Sequence, residues 1–139
     1  MFPINPFPIT VTALYASLLA ILLLVLAVFV GLLRVRRDTL LGDDGSSAFR
    51  AAVQAHTNFV EYVPIAILLL LIAELNGVHG LFLHAVGALF TLGRIGHAFG
   101  IIRAQGELHA ARFAGTVLSW LCIAVLAGTN LLYATHILQ

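Results

Sequence analysis

Between positions 50 and 61 the chain places Arg50, Gln54, His56, Thr57, Asn58 and Glu61 in a stretch otherwise made of alanine, valine and phenylalanine. At about 100° per residue of helix, Arg50, Gln54, Thr57, Asn58 and Glu61 fall within about 100° of arc, one polar stripe on an apolar helix. Glu61 sits two to three turns inside that helix. There an unpaired carboxylate protonates or costs several kcal/mol unless a cation or hydrogen-bond donors meet it. Arg94 and His97 offer both, spaced i and i+3 on one face of a later helix. They precede that helix's expected end at Ile102 by eight and five residues, about 12 and 8 Å. Glu61, Asn58, Arg94 and His97 are therefore expected to meet at similar depth. A single buried pair would only fasten two helices. Arginines, a glutamate, an asparagine, a glutamine and histidines together exceed what fastening requires, and ionisable groups inside a membrane point to function.

The other candidates have simpler readings. His56 points about 120° from the centre of the stripe, toward a structural or interface role. His79, His84 and His136 fall toward the opposite end with no helical pair at metal spacing, so no metal site is expected. Pro64 should kink its helix and free the carbonyl of Val60. Trp120, Tyr133 and Tyr15 read as lipid-facing or packing residues, and Ser119 has no nearby base to make it a nucleophile. Cys122 is the one cysteine, in an apolar run, which rules out an internal disulfide.

The elements that must carry these residues are membrane spans. Charged residues make up 9% of the 139 and hydrophobic residues 61%, too few charges to cover the surface of a soluble domain. A net charge of +1 with no basic tract gives nucleic acid nothing to bind. Stretches of about 20 apolar residues cross a bilayer as helix. Four qualify, at about 9–33, 47–75, 81–102 and 113–138. The fold class is all-α, a transmembrane four-helix bundle forming a single domain over 1–139, with lipid as its first partner. The amino terminus has no positive segment before its apolar run and no small-residue cleavage site after it, so it reads as a span rather than a signal peptide. All seven basic residues are arginine, and Arg34, Arg36, Arg37, Arg50, Arg103 and Arg112 sit in or beside the first and third loops. The positive-inside rule puts those loops in the cytoplasm and both termini outside. Gly93, Gly96 and Gly100 form a bare face on the third helix that permits close packing.

The run Ala55-His56-Thr57-Asn58-Phe59-Val60-Glu61-Tyr62-Val63-Pro64 resembles the second-helix signature of the MAPEG family, the membrane-associated proteins of eicosanoid and glutathione metabolism. Gly93-Arg94-Ile95-Gly96-His97 is similar to the Gly-Arg-x-x-His run of catalytic members, and Arg34-Val35-Arg36 has a counterpart at the end of helix one. The resemblance covers nearly the whole chain. It implies a homotrimer in a bacterial inner membrane, with glutathione bound between neighbouring subunits near the cytoplasmic side. By resemblance, Arg34, Arg50, Gln54, Asn58, Glu61, Tyr62, Arg94 and His97 would hold that cofactor. Arg94, Arg103 and Arg112 would stabilise its thiolate, whose pKa starts near 8.5. Glutathione carries two carboxylates, an ammonium and a thiol, which suits arginines, one glutamate and amides. Catalytic members carry arginine where this chain has Gln54, one of them also where Thr57 stands, and tyrosine where Ile101 stands.

Three functions fit this pattern. The first is a glutathione-dependent transferase or peroxidase acting on lipophilic electrophiles that enter from the bilayer. The second is a non-catalytic protein that kept the fold, for which Gln54, Thr57 and Ile101 speak. The third is a small proton-coupled exporter built on Glu61, which an Arg94 partner pinning the carboxylate would oppose.

Overall fold

The computed structural model describes residues 9–105 and 107–135. They form four helices, α1 (Thr10–Arg36), α2 (Ser47–Leu75), α3 (Gly80–Ala104) and α4 (Ala110–Ala134). Each is long and apolar enough to cross a membrane. At 1.5 Å per residue, 25 to 29 residues span about 37 to 43 Å, more than the roughly 30 Å of hydrocarbon, so the helix ends reach the headgroup layer. The chain is an integral membrane protein with an all-α four-helix fold.

Local chemistry fixes where the helices begin and end. Ser46, in extended conformation, caps α2 by accepting from the Phe49 N–H at 3.2 Å. His109 does the same for α4 through Nδ1 and the Ala111 N–H, also at 3.2 Å. The first helix has no side-chain cap of its own. Its free N–H groups at Val11 and Thr12 donate instead to the two carboxylate oxygens of Glu74, at 2.8 and 2.7 Å. A residue 62 positions away thus serves as the cap that local sequence lacks, and it ties the far ends of α1 and α2 together. The turn from α2 to α3 is the tight Asn76-Gly77 hairpin, with Gly77 at a φ of 80°. At the other end α1 runs on to Arg36, three residues beyond the expected Leu33, because its last turn carries arginines that suit a helix C-terminus. The fourth helix starts at Ala110 rather than 113, where His109 caps it. The expected end of that helix, near Leu138, and His136 lie outside the described residues. Pro64 is accommodated within a continuous α2.

The third helix is the centre of the fold, with 56% of its span buried against 11 to 22% for the others. It packs on α1, α2 and α4, while α1 and α4 do not touch among the described residues. The α3–α4 crossing is closest, and two glycines permit it. A Cβ on Gly115 would strike the Gly93 carbonyl and the backbone of His97, and one on Gly100 would strike the backbone of Arg112. On the opposite side the ring of Tyr15 fills the space beside Gly87, and its hydroxyl donates to the His84 carbonyl at 2.9 Å.

Candidate functional site

The polar residues of α2 and α3 divide into an interior group and a surface group. Arg94 is the centre of the first. It is 1% exposed, donates from Nη2 to the Asn58 Oδ1 at 2.6 Å and reaches the Ser119 Oγ at 3.4 Å. Its guanidinium lies over the Tyr62 ring, 5.3 Å from the centroid. The phenol of Tyr62 in turn accepts the Trp120 indole N–H at 3.0 Å. Three helices therefore converge on one buried cation. No carboxylate among the described residues pairs with it, and its Nε has no partner.

His97 follows one turn later, 4% exposed. Its Nδ1 lies 2.9 Å from the Thr116 Oγ1 and 3.2 Å from the Arg112 carbonyl. Since Thr116 donates its own proton to that carbonyl at 2.9 Å, the network assigns the imidazole proton to Nδ1. The buried Nε2 then remains an acceptor without a partner.

The expected meeting of Glu61 with Arg94 does not occur within the chain. Glu61 is exposed, while the buried side of α2 runs through Ala52, Ala55, Phe59, Ala66, Leu70 and Ala73. Two residues beyond Phe59, Glu61 stands about 200° around the helix, on its outer side. Asn58 and Tyr62, spaced i and i+4, face α3 instead, and the guanidinium reaches the amide oxygen of Asn58. Depth agrees with this partner. Asn58 is eleven residues from the start of α2, about 16 Å, and Arg94 ten residues from the end of α3, about 15 Å. Glu61 lies about four turns in, near the middle of α2, deeper than the two to three turns expected.

The surface group surrounds a cleft of about 370 Å³ at the arginine-bearing end, between the start of α2, the end of α3 and the start of α4. Ser47, Arg50, Gln54, Ile101, Gln105 and Arg112 line it. Ser47 donates to Gln105 at 3.2 Å across its rim. Arg50 is oriented by the Asp43 carboxylate at 2.6 Å and the Gly45 carbonyl at 2.8 Å. From Arg50 and Gln54 the exposed edge of α2 continues through Thr57 to Glu61, about 10 Å beyond Gln54. Two cations, four neutral hydrogen-bonding side chains and one carboxylate thus lie along one outer surface.

The remaining candidates are elsewhere. Arg34 is held inside its own loop, donating to the carbonyls of Thr39 and Leu40 at 3.3 Å and of Gly42 at 3.5 Å, with its guanidinium over Phe49. Arg103 is exposed beside Phe99, Ile102 and Gln105, lining a separate hollow of about 240 Å³. The first loop is further braced where Arg37 meets Asp44 at 2.5 Å and Ser46 at 2.6 Å. The Ser46 backbone N–H and then the Arg37 guanidinium hold the Asp44 carboxyl down at about 2. Ser119, Thr116 and Trp120, all on α4, were not foreseen as partners of the α3 cluster. Their only signal was a weak one, hydroxyls and an indole recurring at 116, 119 and 120 on a single helix face.

A family sequence profile matches this chain over residues 12–132 and is described as the MAPEG family. The chain is similar to the inner membrane protein YecN of Escherichia coli K12, 36% identical over 123 residues that cover 88% of this chain and 92% of that one. The protein of the same name from Escherichia coli O6:H1 matches with equal identity and coverage. With the match reaching from the first turn of α1 to the last turn of α4, the chain belongs to the MAPEG family.

Proposed function

We propose that the protein is a glutathione-dependent transferase or peroxidase acting on lipophilic electrophiles, assembled as a homotrimer in a bacterial inner membrane with its arginine-bearing loops in the cytoplasm. The observation that carries this reading is the cleft with Arg50 and Arg112 on its walls and Glu61 on the α2 edge leading from it. Its volume falls in the usual range for small-molecule sites. The donor set fits the ligand: guanidinium forks for carboxylates, Gln54 and Gln105 for peptide groups, and the Glu61 carboxylate for an ammonium. Arg112 is the cation placed to favour a thiolate in that cleft. Arg94 serves a different end in this reading. Buried and bonded to Asn58, it holds α2, α3 and α4 in register beneath the cleft.

The outer edge of α2 supports the trimer. Its exposed residues recur as Arg50, Gln54, Thr57, Glu61, Ile65, Leu68, Ile72 and Leu75, at intervals of three and four. That is the spacing of a helix–helix seam. A carboxylate facing hydrocarbon at mid-span costs about 2.5 to 3.5 kcal/mol or more. Contact with further copies of the chain removes Glu61 from lipid and places it beside other polar groups.

The test is direct. Detergent-purified protein, mixed with glutathione and chlorodinitrobenzene, should form the thioether with release of chloride, and glutathione should raise its melting temperature. Absence of both effects would reject the assignment. A non-catalytic role is the second reading, favoured by the glutamine, threonine and isoleucine at positions 54, 57 and 101. Under it, Glu61→Gln weakens the trimer and alters no thiol chemistry.

A further inference from the structure

Arg103 is an arginine that the proposed cleft does not use. It stands exposed in the last turn of α3 and makes no ion pair or side-chain hydrogen bond among the described residues, not even with Glu107 four positions on. More than half of the α3 span is buried, so its outward side is narrow. Leu89, Leu92, Ile95 and Phe99 are exposed and fall, with Arg103, within about 120° of arc. From Phe99 back to Leu89 this apolar line runs about 15 Å, the depth of one leaflet's hydrocarbon. At its end lies the hollow of about 240 Å³ walled by Phe99, Ile102, Arg103 and Gln105. His109 adds a donor beside it. Its ring meets that of Phe99 edge to face, with centroids 6.0 Å apart. Because its Nδ1 accepts the Ala111 N–H, the neutral ring carries its proton on Nε2, and no acceptor among the described residues takes that proton.

We propose that this corner of the α3–α4 hairpin binds an anionic phospholipid, with the phosphate on Arg103 and His109 and an acyl chain along Leu92, Ile95 and Phe99. The site stands apart from the thiol chemistry and does not depend on it. A guanidinium fork matches two phosphate oxygens, and the imidazole Nε2–H can take a third. Gln105 accepts from Ser47 through Oε1, which leaves its amide hydrogens as further donors on the wall of the hollow. An arginine at the helix end reaches the headgroup layer while Phe99, one turn below, stays in hydrocarbon. A free anion would use the donors and leave the apolar line idle, whereas a lipid engages both at once. The wall of the hollow carries a cation and no carboxylate, so it favours a headgroup of net negative charge over one that brings its own cation. The carbonyls at the end of α3 would account for a cation in the last turn. They would not account for a second free donor beside the hollow or for the aromatic wall beneath it.

The experiment uses the full chain, stripped of lipid in mild detergent, with bound lipid read by native mass spectrometry and stability by melting temperature. The probes are phosphatidylglycerol, phosphatidylcholine with the same chains, and inorganic phosphate. Phosphatidylglycerol should bind saturably and raise the melting temperature. Phosphatidylcholine should bind at least fivefold more weakly, and inorganic phosphate at the same concentrations should give no shift. Arg103→Gln should weaken phosphatidylglycerol binding at least fivefold, the factor expected of one arginine at an anionic surface, and leave the lipid-free melting temperature unchanged. His109→Ser keeps a capping oxygen for α4 and removes the Nε2 donor, and it should weaken binding twofold or more. Arg36→Gln, at the exposed end of α1, controls for general surface charge and should change binding less than twofold. Unchanged lipid binding in Arg103→Gln, equal losses in Arg103→Gln and Arg36→Gln, or equal binding of the two lipids would overturn the proposal. A shift with inorganic phosphate as large as that with lipid would also overturn it, leaving only an anion site. So would a smaller assembly in Arg103→Gln with lipid binding intact, which would assign this face to a neighbouring copy of the chain.

Discussion

The bond between Arg94 and Asn58 can be weighed by a double-mutant cycle. Asn58→Leu removes the acceptor 2.6 Å from Nη2 and leaves a guanidinium that is 1% exposed with the longer contact to Ser119 as its one hydrogen bond. A hydrogen bond to a charged group contributes about 1.5 to 3 kcal/mol, and orphaning its buried donor pushes the loss toward the top of that range. Arg94→Met removes the charge itself. It strands only the neutral Asn58 oxygen, since Ser119 still donates to the Gly115 carbonyl at 2.7 Å. That should cost about 1 to 2 kcal/mol. Combining the two substitutes an apolar contact for the whole pair, and such replacements are often close to neutral. The double variant should therefore be more stable than the sum of the singles predicts, by about 3 to 5 kcal/mol. Equilibrium unfolding in mixtures of SDS and mild detergent measures all four corners. Additive singles, with a coupling below about 0.5 kcal/mol, would mean that the bond is not made and that Arg94 is free to face a ligand instead.

Three further outcomes follow from other parts of the molecule. Glu74→Ala strips the cap from Val11 and Thr12 and should destabilise by about 2 to 4 kcal/mol, with Glu74→Gln losing about half as much; faster amide exchange at both residues would locate the loss, and an unchanged melting temperature would refute it. Asp44 has a folded pKa depressed below its ordinary 3.8, so its contribution to the first loop is complete above about pH 4 and disappears as pH falls through about 2. Carbon-13 titration should find that low midpoint and see it move up toward 3.8 in Arg37→Gln. Glu61, unpaired by Arg94 within the chain, keeps the exporter reading testable. Liposomes carrying the protein should show no Glu61-dependent proton or drug flux, whereas Glu61→Gln should weaken glutathione binding tenfold or more.

What the sequence could and could not disclose divides along a physical line. Hydropathy and the arginine-rich loop ends report one-dimensional facts, and the four spans and their class were readable from them. Helical periodicity adds relative angle within one helix. It grouped Arg50, Gln54, Thr57, Asn58 and Glu61 correctly as neighbours on a single stripe. It says nothing about where the neighbouring helix sits against that stripe. A 100° arc is wide enough for one edge, at Asn58, to face α3 while the other, at Glu61, faces outward. The expected pair failed for that reason, and charge complementarity made the wrong edge attractive. The partners on α4 were hidden differently. Ser119 and Thr116 bond to carbonyls of their own helix, and such residues look like ordinary membrane-helix hydroxyls until a second helix approaches. That approach depends on Gly115 against Gly93; the bare glycine face of α3 was readable as a packing surface, but not that α4 is the helix that packs on it. The role of Glu74 was hidden likewise, because its partners are backbone N–H groups of α1 that any sequence would have.

The same distinction governs what the arginines do. Arg34, Arg50, Arg94 and Arg112 carry identical chemistry, and the family resemblance offered each to the same ligand. Two of them are engaged with groups that no anion need replace: Arg34 with loop carbonyls and Arg94 with Asn58. Arg112 instead stands on the wall of a cleft large enough for a small peptide, and Arg50 stands opposite with a partner that is itself on the surface. An exposed ion pair such as Arg50–Asp43 is worth about 1 kcal/mol at most, so a ligand carboxylate can exchange with Asp43 at little cost. Displacing Asn58 from Arg94 would instead break a buried bond to a charged group. Any anion that binds this face should therefore be felt at Arg50 and Arg112 before it is felt at Arg94.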